Sequence, residues 1–239
     1  IEGLKNLSKR DILLILLSGA FIALHFWLWI TSLSYTSIAS SVILVTSHPV
    51  FVAAISYFLW NERLNKLGIG GIIIALVGVI FVNYIGFTFS SAALQGDLLA
   101  LLAAFAMGAY LIIGSQLRAR IDILPYLTII YSCSAVILLT VTFIIGHSLF
   151  GYSHITYAML ILLALVPQVI GHSSLNIAVR LMPVTFVSVA ILGEPVGATI
   201  LGYFLLGEIP KANEIAGGLL ILFGIYLVVR QKPKYSVMK

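Results

Sequence analysis

The sequence predicts an all-α polytopic membrane protein, and three observations indicate this fold class. Of its 239 residues 61% are hydrophobic and only 9% are charged, whereas a soluble domain carries about 25% charged residues. The apolar residues fall into eight runs, each close to the length of about 20 residues that crosses a bilayer. The loops between the runs are too short to hold a soluble domain.

Hydropathy sets the bounds of the eight predicted helices, because each apolar run ends at charged or turn-forming residues. In chain order they cover residues 11–31, 38–59, 67–86, 96–117, 125–146, 157–178, 184–206 and 214–230. Eight crossings place both ends of the chain on the same side of the membrane.

The Lys and Arg residues orient the predicted bundle. With a cytoplasmic N-terminus, twelve of them fall on the inner side and only Lys211 on the outer side. This split follows the positive-inside rule and predicts cytoplasmic termini in a prokaryotic inner membrane. The same placement, in short loops and at the ends, excludes a basic surface for nucleic acid. Cys133 is the only cysteine, so no disulfide can form within the chain.

The chain carries an internal repeat with a shift of 146 positions. Without a gap, the shift superimposes eleven identical residues over roughly fifty positions. The matched pairs are Pro49 and Pro195, Val50 and Val196, Tyr57-Phe58-Leu59 and Tyr203-Phe204-Leu205, Glu62 and Glu208, Ile69 and Ile215, Gly71 and Gly217, Leu76 and Leu222, Gly78 and Gly224, and Val82 and Val228. The glycine pairs are predicted to serve close helix packing.

The repeat predicts two halves of opposite direction, because five crossings separate the second predicted helix from the seventh. Inverted repeats of this kind occur in secondary transporters, with the binding site near the midplane. Residues 1–90 would hold the last three helices of the first repeat, and residues 91–239 a complete five-helix second repeat. The counterparts of the fourth and fifth helices would precede residue 1, so we expect a ten-helix inverted five-plus-five bundle that here lacks its first two helices.

Glu194 lies in the middle of the apolar run 183–206. A carboxylate at the bilayer centre costs roughly 2.5–3.5 kcal/mol on insertion scales, which indicates a functional group that faces a cavity and has a partner. The repeat places His48 opposite it, and each precedes a matched proline. Pro49 and Pro195 are predicted to kink their helices and to free a carbonyl one turn earlier. The alternative for Glu194 is an interhelical hydrogen bond, protonated or paired with a His.

Further polar residues fall in the first and sixth predicted helices. Gln168, His172 and Asn176 follow one another at a spacing of four, which places them on one helix face. His25 and Trp29 are also four apart. All five are candidates for a solute or proton site. The alternative is that they hydrogen-bond between helices, with Trp29 as a packing residue or an interfacial anchor.

Glu62 and Glu208 stand where one predicted helix ends and the next begins. A carboxylate near a helix N-terminus is favoured by the helix dipole. Both are therefore predicted to fix the turns, with a gating salt bridge as the alternative.

The chain resembles the EamA-type drug/metabolite transporters in two segments, YTSIASSVILVTSHPVFVAAISYFLWNERL and MPVTFVSVAILGEPVGATILGYFLLGEIP, and in the glycine-bearing helix after each. The resemblance covers nearly the whole chain. The family's pair of a small residue and Glu appears here as Asn61-Glu62 and Gly207-Glu208. The resemblance implies ten helices in two inverted halves and a transporter that exports amino acids or other small metabolites. It implies no role for Glu194, which rests on the burial argument.

The sequence therefore predicts a secondary active transporter that exports a small polar metabolite such as an amino acid. Its cavity would lie between the first, second, sixth and seventh predicted helices, together with the two helices expected to precede residue 1. The expected partners are the solute and the bilayer, with a proton or an exchanged counter-solute for coupling and a homodimer as an open alternative. The competing functions are a membrane receptor or scaffold and an intramembrane enzyme. We expect no enzyme, cofactor or metal, because the His residues show no HExxH-type spacing.

Overall fold

The computed structural model of the chain describes residues 7–60, 64–82, 91–118, 121–207 and 209–230. Every regular element in these ranges is helical. The α-helices are α1 (Lys9–Ser32), α2 (Ile38–Val45), α3 (His48–Trp60), α4 (Lys66–Val82), α5 (Ser91–Arg118), α6 (Ile123–Ile145), α7 (His154–Leu163), α8 (Ser173–Leu181), α9 (Val184–Ile191), α10 (Glu194–Leu201) and α11 (Ala212–Arg230). Two π-helical segments, Ala164–His172 and Gly202–Leu206, follow α7 and α10.

Seven helical segments in the described part of the chain are long and apolar enough to cross a membrane. They are Lys9–Ser32, Ser40–Leu59, Ser91–Leu117, Ile123–Ile145, His154–Leu181, Val184–Leu205 and Ala212–Arg230. Helix α4 is also apolar but has only 17 residues. The predicted all-α membrane class agrees with this architecture, and the count of eight crossings stays a prediction.

Two of the predicted continuous helices are interrupted. The run predicted as 38–59 consists of α2 and α3, which are separated at Thr46 and Ser47. The run predicted as 184–206 consists of α9, α10 and a π-helical segment. Pro49 and Pro195 each occupy the second position of the later helix, where the missing N–H of proline is tolerated. The predicted kinks are thus full breaks in the helix.

One compact unit comprises Ile1–Leu24 and Tyr110–Pro183. Its core contains the fully buried side chains of Tyr110, Tyr126 and Ile15. The hydroxyl groups of Ser18 and Tyr126 lie 3.2 Å apart and share a hydrogen bond between α1 and α6. Within this chain the segment from α7 to α8 leaves its most apolar stretch exposed, as a helix that faces lipid does.

The second compact unit comprises His25–Ala109 and Val184–Lys239. Its core is a buried apolar cluster on α4, α9 and α11, with Leu192 in the turn after α9: Ile72, Ala75, Val79, Val189, Leu192, Ile221 and Val228. Helices α4 and α11 pack through glycines, because a Cβ atom at Gly78 would lie 2.6 Å from the carbonyl oxygen of Gly217. A Cβ atom at Gly71 would likewise lie 2.7 Å from the carbonyl oxygen of Gly224. The predicted packing role of these four glycines is therefore confirmed.

The helix bounds in the second unit follow the shift of 146 positions. Applied to α2, the shift gives 184–191, which are the bounds of α9. Applied to the starts of α3 and α4, it gives 194 and 212, where α10 and α11 begin. The unit therefore contains both stretches that the repeat equates, and the predicted division of the sequence near residue 90 stays a prediction.

Candidate functional site

The break between α2 and α3 positions His48 as the first residue of α3. Pro49 has no N–H to donate to the carbonyl of Val45, four residues earlier. The imidazole Nδ1 of His48 lies 3.3 Å from this carbonyl oxygen and takes the missing donor's place. The carbonyl that the sequence predicted to be free for a solute or water is thus bound by the neighbouring side chain.

His25 and Trp29 lie one turn apart on α1, and their rings stack at 5.8 Å between centroids. His25 is 6% exposed and His48 is 2% exposed. Nδ1 of His25 lies 3.0 Å from the carbonyl oxygen of Ala103 on α5. The second unit therefore contains three of the residues predicted for the site: His25, Trp29 and His48.

Three buried polar atoms in this unit have no hydrogen-bond partner among the residues that the structure describes: Trp29 Nε1, His48 Nε2 and Ser56 Oγ. Buried polar atoms without a partner are rare in folded proteins. The sequence patterns did not single out Ser56, although it lies eight residues after His48 and thus on the same helical face.

Glu194 opens α10, at the position that the repeat equates with His48. Its side chain is exposed on the described surface. No ion pair or hydrogen bond joins it to another described residue. The partner that the sequence predicts for this carboxylate therefore stays a prediction.

The first unit holds the other predicted residues, Gln168, His172 and Asn176. Asn176 is 1% exposed, and its Nδ2 lies 2.6 Å from the hydroxyl of Tyr110 and 2.6 Å from the carbonyl oxygen of His172. The rings of Tyr110 and His172 are 6.5 Å apart. Tyr110 carries no signal in the sequence, because an aromatic residue in an apolar helix is usually packing.

The spacing argument for these three residues assumed a continuous α-helix, and this assumption is wrong. Gln168 and His172 lie in the π-helical segment Ala164–His172, which contains Pro167. A π-helix bonds each residue to the fifth one along and so winds more loosely than an α-helix. The shared face of the three residues stays a prediction. Gln168 is half-buried and Asn176 fully buried. Such π-helical segments are frequent at functional sites.

A second polar contact in the second unit centres on Asp97, near the start of α5. The hydroxyls of Thr36 and Ser40 donate to its Oδ1 at 2.8 and 2.7 Å. Gly96 lies close to Thr36, because a Cβ atom added at Gly96 would lie 2.7 Å from the Cβ atom of Thr36. The absence of a side chain at Gly96 thus allows Thr36 to approach Asp97. The sequence offered one signal for this contact: Asp97 is the only acidic residue in the fourth predicted helix.

Glu62 and Glu208 lie outside the described residues, so their predicted roles at the turns stay predictions. Among the residues that the structure describes, no three His, Cys, Asp or Glu side chains are grouped to hold a metal ion.

Comparisons with known proteins agree with this architecture. The sequence model of the EamA-like transporter family matches residues 1–84 and 94–230. The chain is 24% identical over 233 residues to the uncharacterized transporter YxxF of Bacillus subtilis, covering 96% of this chain and 74% of that protein. It is 25% identical over 202 residues to a probable amino-acid metabolite efflux pump of Salmonella typhimurium, covering 78% of this chain and 66% of that protein. The fold is similar to that of a protein in one crystal structure, with a TM-score of 0.79 and 18% sequence identity. The match covers 95% of this chain and 78% of the chain in that structure.

Proposed function

The chain belongs to the EamA-like transporter family, and from this premise we propose that it is a secondary active transporter that exports a small polar metabolite such as an amino acid. The observation that carries the proposal is the pair of helix breaks at His48 and Glu194. Discontinuous helices form the binding sites of many secondary transporters, because their broken ends expose polar backbone. The name of the Salmonella relative is consistent with an amino acid as the solute.

We also propose that the two stretches are halves of an inverted repeat. The coincidence of helix starts under the shift of 146 supports this. The glycine contacts support it as well, because Gly71 meets Gly224 while Gly78 meets Gly217. This exchange of partners is the pattern of an isologous contact about a two-fold axis. The charge split of 12 to 1 supports cytoplasmic termini.

Glu194 is proposed to carry the coupling proton. Pro195 cannot donate to the carbonyl of Ile191, just as Pro49 cannot donate to that of Val45. In the first stretch His48 supplies a donor to the freed carbonyl. Glu194 has a donor to offer only when its carboxyl group is protonated. A protonated Glu194 could thus donate a hydrogen bond to the carbonyl of Ile191, as His48 does to that of Val45. The ionised carboxylate would remain free to attract a cationic group.

Transport into proteoliposomes tests both parts of this proposal. The full chain is reconstituted, and uptake of a labelled mixture of amino acids is measured with and without a pH gradient. We expect the gradient to drive uptake in the wild-type protein. Glu194→Gln keeps a permanent amide donor, so its uptake should no longer depend on the gradient.

Glu214→Gln is the matched control, because Glu214 is half-buried near the start of α11 and bonds only the local backbone N–H of Lys211. It should retain the coupled transport of the wild type. Coupled transport that survives unaltered in Glu194→Gln would remove Glu194 from the mechanism. If no amino acid enters the vesicles at all, the proposed solute class is wrong.

A further inference from the structure

The two half-helices that the repeat equates, α2 and α9, are attached to the second unit in different ways. Both have eight residues. On α9 the side chains of Val184, Val187 and Val189 are buried, and Val189 belongs to the apolar cluster that α4 and α11 complete. On α2 only Ile43 packs against this cluster, as a partly buried residue. The core of the unit therefore holds α9 more firmly than α2.

The buried side of α2 carries two serines. Ser40 and Ser41 are 3% and 0% exposed. The shift of 146 equates them with the apolar residues Phe186 and Val187 of α9. Both serine hydroxyls hydrogen-bond to side chains of neighbouring elements. Hydrogen bonds thus hold α2 where apolar packing holds α9.

Asp97 links α5 to the tip, which we define as residues 32–45: the end of α1, the following turn and α2. The hydroxyls of Thr36 and Ser40, both in the tip, donate to Oδ1 of Asp97. Asp97 is only half-buried, so water can reach its carboxylate. Water can replace a hydroxyl donor at little net cost, whereas the contacts of a packed core are lost outright when it opens. The link to Asp97 is therefore an attachment that can be released.

The tip can move as one piece between this link and the helix break. Within the tip, Ser32 and Ser41 share a hydrogen bond of 2.6 Å that joins the end of α1 to α2. At the other end, Thr46 and Ser47 separate α2 from α3, and Pro49 has no N–H to continue the helical bonds across the break. Residues at the ends of helices commonly serve as hinges.

From these attachments we propose that the tip is a gate and that Asp97 is the latch that holds it against α5. Opening the latch releases α2, while α9, at the equivalent place in the second stretch, stays in the core. The inference rests on the proposed transport function, because alternating access to a solute site requires one part of the protein to move against the rest. Asp97 is then a positioning residue, which sets how often the gate opens and not which solute enters.

Hydrogen–deuterium exchange of the full chain in detergent tests the latch without any solute. Mass spectrometry follows peptides that cover α2 and α9. A helix of eight residues does not stay helical by itself in water, so an open tip exposes its amides to exchange. We expect α2 to exchange about tenfold or more faster than α9 in the wild type. Asp97→Ala should raise the exchange of α2 about tenfold further and leave α9 unchanged, because it removes a charged acceptor. Asp97→Asn keeps an acceptor oxygen and should raise it less.

Gly78→Ala is the matched control, because it disturbs the core and leaves the latch intact. Its Cβ atom would lie 2.8 Å from Cγ1 of Ile221, which belongs to the apolar cluster. It should therefore raise the exchange of α9 more than that of α2, the reverse of Asp97→Ala. Equal exchange of α2 and α9 in the wild type, or an equal response of both helices to Asp97→Ala, overturns the inference.

A reversible lock connects the latch with transport. A Cβ atom at Gly96 would lie 2.7 Å from that of Thr36, and a disulfide joins Cβ atoms about 3.5–4.5 Å apart. Thr36→Cys with Gly96→Cys can therefore bridge the tip to α5 after a small outward shift. Cys133→Ala removes the only native thiol. We expect the oxidised pair to block amino-acid uptake into proteoliposomes and a reductant to restore it.

The two measurements fail separately. Equal uptake by the oxidised and the reduced pair overturns the role of the tip as a gate. If no amino acid enters vesicles with the wild-type protein while the exchange results hold, the latch stands and the proposed solute class is wrong.

Discussion

Replacing Gly78 with alanine tests the close approach of α4 and α11. The Cβ atom of the new residue would lie 2.6 Å from the carbonyl oxygen of Gly217 and 2.7 Å from the backbone nitrogen of Ile221. Ordinary contact begins at 3.4 Å, so the methyl group is about 0.8 Å too close. Both neighbours are main-chain atoms and cannot rotate away, which means that the helices themselves must separate.

The expected loss follows from two opposing terms. Overpacking of a tight interface costs typically 1–3 kcal/mol, and contact with backbone belongs at the upper end of this range. Alanine recovers about 1 kcal/mol of helix propensity over glycine. The net loss is about 2 kcal/mol in the free energy of unfolding. For a chain of this size that lowers the unfolding midpoint by roughly 4–8 °C.

Gly70→Ala on the same helix is the control, because no described atom outside its own turn of helix lies within 4 Å of its added Cβ. Each variant is heated in detergent, and the fraction that still elutes as a folded protein is measured by size exclusion. We expect Gly217→Ala to match Gly78→Ala, since their contacts are reciprocal at 2.6 Å. Equal midpoints for Gly78→Ala and Gly70→Ala would refute the reasoning.

Two further substitutions probe the polar contacts by the same heating measurement. Tyr110→Phe removes the hydroxyl that meets Asn176 and should cost about 1–3 kcal/mol, because the buried amide loses a partner; an unchanged midpoint would show that this hydroxyl does not stabilise the fold. Asp97→Ala leaves the hydroxyls of Thr36 and Ser40 without their acceptor and should cost about 1.5–3 kcal/mol. Asp97→Asn keeps an acceptor oxygen and should lose less, and an equal loss in both variants would contradict the assignment.

Hydropathy alone could predict where the apolar helices lie, because a bilayer requires long apolar runs. The shift of 146 could also predict which glycines pack, since a residue without a side chain in two matched helices has few other uses. The observed contacts of Gly71 and Gly78 bear this out. The run predicted to end at residue 86 is helical up to Val82, and its last four positions lie outside the described residues.

Breaks within an apolar run could not be predicted from hydropathy, because both α2 and α3 are mostly apolar. Pro49 indicated a kink, and the sequence could not show that His48 would bind the freed carbonyl. The π-helical segment around Pro167 was missed for a related reason. Apolar periodicity averages over several turns and does not register one extra residue in a turn.

Contacts between distant segments were the least predictable part of the candidate site. The bond from Thr36 to Asp97 joins residues 61 positions apart, and the bond from Tyr110 to Asn176 spans 66. A single sequence contains the residue types but not their pairing. The predicted residues His25, Trp29 and His48 could be named because polar groups are rare in apolar helices, yet only the structure identifies the backbone carbonyls beside the two imidazoles.

The two helix breaks that the repeat equates lie at matching backbone positions but carry different side chains, His48 at one and Glu194 at the other. This difference bears on function. Two aliphatic residues or two histidines at His48 and Glu194 would serve a purely structural repeat equally well. Instead, one break is held by an imidazole that can donate to Val45 while neutral. The other carries a carboxylate, which can donate to the corresponding carbonyl of Ile191 only after it takes up a proton. On the role proposed for Glu194, a constant bond in the first stretch and a proton-dependent bond in the second would give the two stretches different stabilities at different proton concentrations, which is the property that proton coupling requires and that packing does not.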